Sequence, residues 1–217
     1  MSTYELIPPP PIVNPDGTTT VNEPPREIGE FLPPDLVELK QVDARLRLDV
    51  RYATPHNFTG EQVYSQARAF MQRPAATALV RAHDDLLALG YGLLIYDGYR
   101  PWSVTKRFWD VTPLHQKEFV ADPATGSRHN RGCATDLSLF HLQTGQPVEM
   151  PSDYDEFNEK AYPTYEGGTP ESRRLRDLLR RVMEAHGFSV YRTEWWHFDY
   201  PGWEQYRIMD IPFEDLI

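Results

Sequence analysis

Two short stretches of this 217-residue chain combine side chains that can hold a metal ion and move protons. Residues 127–136 read Ser-Arg-His-Asn-Arg-Gly-Cys-Ala-Thr-Asp, and residues 194–197 read Glu-Trp-Trp-His. Two imidazoles and one carboxylate suit a hydrolytic zinc site, because three protein ligands leave a fourth position for water. His129, Asp136 and His197 form such a set, and Glu194 is a candidate proton carrier beside it. Glu194 and His197 face opposite ways on a regular strand, so this reading requires a turn or bulge there. Gly132 lets the chain reverse after His129 and enter a strand that carries Asp136. Taken singly, each motif has a plainer explanation. A lone histidine is ordinarily a core or surface residue, and Glu194-Trp-Trp-His197 also fits an aromatic strand with solvated charges. Cys133 is the only cysteine. It excludes an intrachain disulfide and a cysteine-only zinc site, and it reads as a small residue packed behind the ligands.

The flanking sequence predicts the elements that position these residues. Leu46, Leu48, Val50 and Tyr52 alternate with polar residues, the period of a half-buried strand. Ala78, Leu79, Ala82, Leu86 and Leu89 recur at helical spacing between Pro74 and Gly90, which predicts a helix of about 15 residues. Residues 91–96 follow as a buried strand ending in the turn Asp97-Gly-Tyr-Arg-Pro101. A second helix is capped by Thr169, starts at Pro170, buries Leu175, Leu178, Leu179, Val182 and Met183, and stops at Gly187. Strands are expected over 134–140 and through 188–200, rich in β-branched and aromatic residues. This order favours one α+β domain whose mainly antiparallel central sheet is flanked by helices.

Nine of the 20 prolines precede residue 35, so residues 1–41 are expected to form a proline-rich arm, draped over the domain or mobile, ahead of a domain at 42–217. The net charge of −10 repels phosphate backbones and anionic lipid, which argues against nucleic-acid and membrane partners. No basic, apolar leader opens the chain, and no run approaches the roughly 18 to 20 apolar residues of a membrane span. A cytoplasmic location is the corresponding expectation.

The pattern Ser127-x-His129-x-x-Gly132-x-Ala134-x-Asp136, followed by Glu194-x-Trp196-His197, resembles the signature of the VanX-type D-alanyl-D-alanine dipeptidases. Its first half is shared with D-alanyl-D-alanine carboxypeptidases and Hedgehog-type domains. Tyr52-Ala-Thr-Pro-His-Asn-Phe-Thr-Gly60 and Asp97-Gly-Tyr-Arg100-Pro101 resemble segments of the same family in the same order. The resemblance implies a Hedgehog/D,D-peptidase-like fold and one zinc ion (Zn2+) per chain on His129, Asp136 and His197. It also implies that Glu194 serves as general base and acid, and that Arg100 stabilises an oxyanion unless it is only an ion-pair partner of Asp97. For a dipeptide substrate it implies Ser127 at the carboxylate and Asp155 at the ammonium, with Asp153 close by. Asp97 and Tyr64 are further candidates for the pocket wall, and Trp195 and Trp196 for its apolar lining. A small closed cavity is the expected device for limiting substrates to dipeptides. Two alternatives remain open: a D,D- or L,D-carboxypeptidase or endopeptidase acting on cell-wall peptides, and a zinc-containing binding module without catalysis.

Overall fold

The computed structural model describes residues 4–216. In the arm, β1 (Glu5–Ile7) pairs antiparallel with β4 (Arg26–Ile28), and β2 (Ile12–Val13) pairs with β3 (Thr19–Thr20). The prolines of 8–11 and 24–25 punctuate these short ladders, since a proline cannot donate to a neighbouring strand. Val21 is buried, and Trp109 Nε1 donates to the Thr19 carbonyl at 2.7 Å, so the arm lies on the body of the protein.

Core packing begins ahead of residue 42, the expected start of the domain. β5 (Leu36–Glu38) pairs antiparallel with β7 (Phe70–Gln72), and Leu39, which opens the single turn α1 (Leu39–Val42), is fully buried. The strand expected over 46–52 is shorter than its alternation suggests. Only β6 (Arg47–Leu48) pairs, and Arg51–Ala53 turns as 3-10 helix. The Tyr52 carbonyl there accepts from both Val63 and Tyr64, which bends the chain away from the sheet.

α2 (Arg73–Ala88) buries Ala78, Leu79, Ala82 and Leu86 of the face read from the sequence, together with Ala75, whereas Leu89 falls just past the last turn and is exposed; the chain turns back at Gly90 into β8 (Tyr91–Asp97). α3 (Trp102–Val111) was not expected, although Trp102, Thr105 and Phe108 are buried at helical spacing directly after Pro101. β9 (Ala134–His141) and α4 (Pro170–Ala185) have the predicted extents, and the Thr169 side chain accepts from Ser172 N at 3.0 Å as the cap. The segment expected as one strand over 188–200 is a hairpin of β10 (Ser189–Tyr191) and β11 (Glu194–Asp199).

The main sheet runs β10-β11-β9-β8-β6, antiparallel throughout except for the parallel β6–β8 pair. α2 and α4 pack on each other and on this sheet, which makes the domain α+β, as expected. Leu93, Ile95, Leu137, Leu139 and Phe198 are fully buried within its strands. Burial on that scale drives folding at roughly 25 cal/mol per Å² of apolar surface removed from water. Among the described residues no helix is long and apolar enough to cross a membrane.

Candidate metal and active site

Asp136 on β9 lies directly opposite His197 on β11 in the antiparallel register, so the sheet itself brings two of the three candidate ligands side by side. His129 arrives from the 3-10 turn His129–Arg131. That turn ends at Gly132 with φ +69°, where a Cβ would lie 2.5 Å from Leu36 Cδ2, so glycine satisfies both the backbone and the packing. The irregularity required for Glu194 is present as well. The β10–β11 register shifts between Val190 and Tyr191, and Glu194, first residue of β11, has Oε2 3.6 Å from His197 Nδ1.

His129 Nε2, Asp136 Oδ1 and His197 Nδ1 form a close triangle. Their separations are 3.1 Å between the imidazole nitrogens, 3.3 Å from His129 to Asp136 and 3.1 Å from His197 to Asp136. Ligands held tetrahedrally at about 2.0–2.1 Å from one ion stand about 3.3–3.4 Å apart, so the triangle fits a zinc-sized cation. The outer atoms are committed elsewhere. His129 Nδ1 contacts the Gly98 carbonyl at 2.6 Å, and His197 Nε2 contacts Asp199 Oδ1 at 2.9 Å. A neutral ring that donates outward presents a bare nitrogen lone pair inward, the arrangement of a metal-ligating histidine. Asp136 Oδ1 is buried without a hydrogen-bond partner, whereas Oδ2 accepts from Tyr154 OH at 3.0 Å. An orphaned buried acceptor facing two lone pairs is costly unless a cation joins them.

These side chains open on a cavity of about 660 Å³, whose wall includes Arg100, Ser127, Asp155, Glu194 and Trp196. The small closed pocket expected from the sequence is therefore not what the chain builds. Arg100 is buried, with Nε and Nη2 at 2.9 and 2.8 Å from Asp97 Oδ2 and Nη2 at 3.5 Å from Asp136 Oδ2. Asp97 also accepts from Tyr64 OH at 2.8 Å. Asp97 and Tyr64 thus stand behind Arg100 and orient it; they do not line the cavity as anticipated. Ser127 Oγ accepts from the His129 backbone N–H at 3.2 Å and keeps its own proton available. Asp155, in the left-handed conformation at φ +62°, accepts from Tyr52 OH at 2.9 Å. Asp153 instead pairs with Arg51 at 3.1 Å on the surface. Of the two tryptophans, Trp196 reaches the cavity and Trp195 donates to Ser152 Oγ at 2.8 Å.

Residues 34–214 match the Peptidase_M15 family, D-ala-D-ala dipeptidase. The chain is 38% identical to a D-alanyl-D-alanine dipeptidase of Enterococcus faecalis, covering 78% of this chain and 89% of that one. A D-alanyl-D-alanine dipeptidase of Escherichia coli is 33% identical, with 84% of this chain and 93% of that chain covered. One from Enterococcus faecium is 35% identical, with 74% and 88% covered. The chain belongs to the D-Ala-D-Ala dipeptidase family. It is accordingly a metallopeptidase.

In this dipeptidase the electrostatics of the site are shaped first by burial. Burial pushes the Glu194 carboxyl up, to about 8, with Asp136 adding to the rise and His197 opposing it. Burial likewise raises Asp155 well above the usual carboxylate range, reinforced by Asp136. For Asp136 burial is outweighed by the two imidazoles, which hold it well below that range. For His197 burial is outweighed by Asp199 and Asp136, which raise it. Sequence reasoning missed Asp199, Tyr52 and Tyr154 as parts of the site. Asp199 was legible in principle, because a residue two after His197 on a strand shares its face.

Proposed function

We propose that this dipeptidase hydrolyses D-alanyl-D-alanine with one zinc ion held by His129, Asp136 and His197. The observation that carries this reading is the convergence of those three ligand atoms beside the Glu194 carboxylate. When bound, zinc supplies Lewis acidity at the scissile carbonyl and a nucleophile available at neutral pH. Glu194 takes the proton of the attacking water and returns it to the departing amine. Arg100, locked by Asp97, directs its guanidinium at the charge that develops on the carbonyl oxygen. Asp155 pairs with the substrate ammonium, which offsets the cost of a carboxylate on a largely desolvated wall. Ser127 Oγ donates to the substrate carboxylate.

The test is a panel of D,D-, L,D- and L,L-dipeptides with one longer N-acyl peptide, assayed with and without chelator. Selective, chelator-sensitive cleavage of D-Ala-D-Ala is expected. Preferred cleavage of the acyl peptide points instead to a carboxypeptidase, a reading that the roomy cavity favours. In Glu194→Gln, zinc content stays at the wild-type level while kcat falls by about 10²–10⁴-fold, the range for loss of a general base. Unchanged turnover in that variant removes Glu194 from the mechanism.

A further inference from the structure

The family match begins at residue 34, yet the cavity wall includes Tyr4 and Leu6 from the arm ahead of it. The arm is fixed in place. Glu27 next to them in the β1–β4 ladder forms an ion pair with Arg131 at 2.6 Å, with both side chains no more than 3% exposed. Its other oxygen accepts from Ile208 N at 2.8 Å, and Leu32 N donates to the Gln205 carbonyl at 2.8 Å. Arg131 closes the same 3-10 turn that begins with His129. The arm is thus tied to the segment that delivers a metal ligand, by a buried pair of the kind that tolerates no loss of a partner.

The neighbours of Tyr4 tell which end of the cavity the arm borders. Its ring meets Phe31 and Trp203 edge-on, at centroid distances of 6.0 and 6.5 Å, and the Arg131 guanidinium lies 5.2 Å away. Trp203 in turn lies 4.9 Å from the Arg128 guanidinium, which ion-pairs with Asp199 behind His197. These contacts run to Arg128 and Arg131, next to Ser127, and to the chain after β11. Asp155, by contrast, is reached through Tyr52 and Tyr154.

The cavity is also larger than its family substrate requires. Two alanines joined in a dipeptide occupy at most about 330 Å³, taking water's roughly 30 Å³ for each non-hydrogen atom. That is half of the about 660 Å³ of this half-open cavity.

We infer that Tyr4 and Leu6 form the outer wall of the subsite for the departing residue and set the size of the C-terminal side chain this enzyme accepts. The inference rests on the dipeptidase reading, with Ser127 at the substrate carboxylate.

The experiment compares kcat/KM for D-Ala-D-Ala, D-Ala-D-Phe and D-Phe-D-Ala in the full-length zinc enzyme, in Leu6→Trp and in Tyr4→Ala. The wild type is expected to cleave D-Ala-D-Phe within about tenfold of D-Ala-D-Ala. Leu6→Trp lowers that ratio by about tenfold or more and Tyr4→Ala raises it, the scale on which pocket size discriminates substrates. Neither variant moves the ratio for D-Phe-D-Ala, whose bulky side chain lies at the Asp155 end. Flat ratios in the folded variants, or equal changes for both bulky dipeptides, overturn the assignment. Should Leu6→Trp fail to fold, Tyr4→Ala alone decides. A wild-type enzyme without activity on D-Ala-D-Ala overturns the dipeptidase reading itself, whereas robust D-Ala-D-Ala cleavage with flat ratios overturns only the role of the arm.

Discussion

At the scale of single residues, the site depends on which atom of each side chain is already engaged. His129 turns Nδ1 to the Gly98 carbonyl and His197 turns Nε2 to Asp199, so each offers its other nitrogen inward. Arg100 has the same kind of backing, held by Asp97, which is in turn held by Tyr64. This predicts how substitutions there divide. Arg100→Lys keeps a positive charge beside Asp97 but loses the planar fork, and kcat should fall by about 10²–10³-fold, equivalent to about 2.7–4 kcal/mol of transition-state stabilisation. KM should change far less. Tyr64→Phe, which removes only the hydroxyl behind Asp97, should cost less than Arg100→Lys in a steady-state comparison; an equal loss would mean that Tyr64 acts on substrate directly. The ligands and Glu194 were readable from residue types and spacing joined to the family pattern. The distinction between lining the cavity and standing behind Arg100 was not, because a sequence does not encode the direction in which Asp97 points.

At the scale of elements, two devices show how local structure supplies what the chemistry needs. The register shift in the β10–β11 hairpin lets Glu194 and His197, three apart, approach one another. The second device lies away from the site, where Asp43 at the end of α1 accepts from His83 Nδ1 of α2 at 2.9 Å and from the Arg45 side chain at 2.8 and 2.9 Å. Burial opposes the Asp43 charge, but the hydrogen bonds from Arg45 and His83 outweigh it and hold the carboxyl below its ordinary range. Burial lowers His83, against the pull of Asp43. The signs follow from linkage. A histidine depressed in the folded state leaves the unfolded chain to take up its proton first, so its contribution begins to fall as pH drops below about 6.5. The contribution of Asp43 persists to about pH 3.9 and is lost as pH falls through its depressed folded value. Urea unfolding at about pH 7.5, 5 and 2 should therefore show a two-stage loss of stability. His83→Gln should flatten the upper stage and Asp43→Asn the lower; identical pH slopes in all three proteins would rule the pair out as its source.

At the scale of the whole molecule, the ligand set joins distant parts of the chain: a 3-10 turn at 129–131, a central strand and the hairpin strand beside it. A ligand that binds only the folded chain stabilises it by mass action, by about 2.7 kcal/mol at a hundredfold excess over Kd. For a chain of this size that raises the midpoint of thermal unfolding by about 5–10 °C. Scanning calorimetry with added zinc and with chelator should reveal that difference, and His129→Ala should abolish it. A midpoint indifferent to chelator in a protein shown to be zinc-loaded would refute the coupling. The arm belongs to this scale too, since the Glu27–Arg131 pair links residues more than a hundred positions apart.

The helix of α2, the capped helix of α4, the strands β8 and β9 and the family signature were all determined by the sequence alone, because each rests on a local period, a cap or a spacing that neighbouring residues carry among themselves. α3 went unread beside Pro101 although its buried residues kept the helical period, and the strand expected over 46–52 was cut short by hydrogen bonds to the Tyr52 carbonyl from residues 63 and 64. The pairing of Asp136 with His197, the withdrawal of Asp97 and Tyr64 behind Arg100, and the presence of Tyr4 and Leu6 in the cavity wall were decided only by the tertiary structure. Each depends on contacts between segments far apart in the chain, whose geometry is set by packing and by the satisfaction of buried polar groups rather than by local preference.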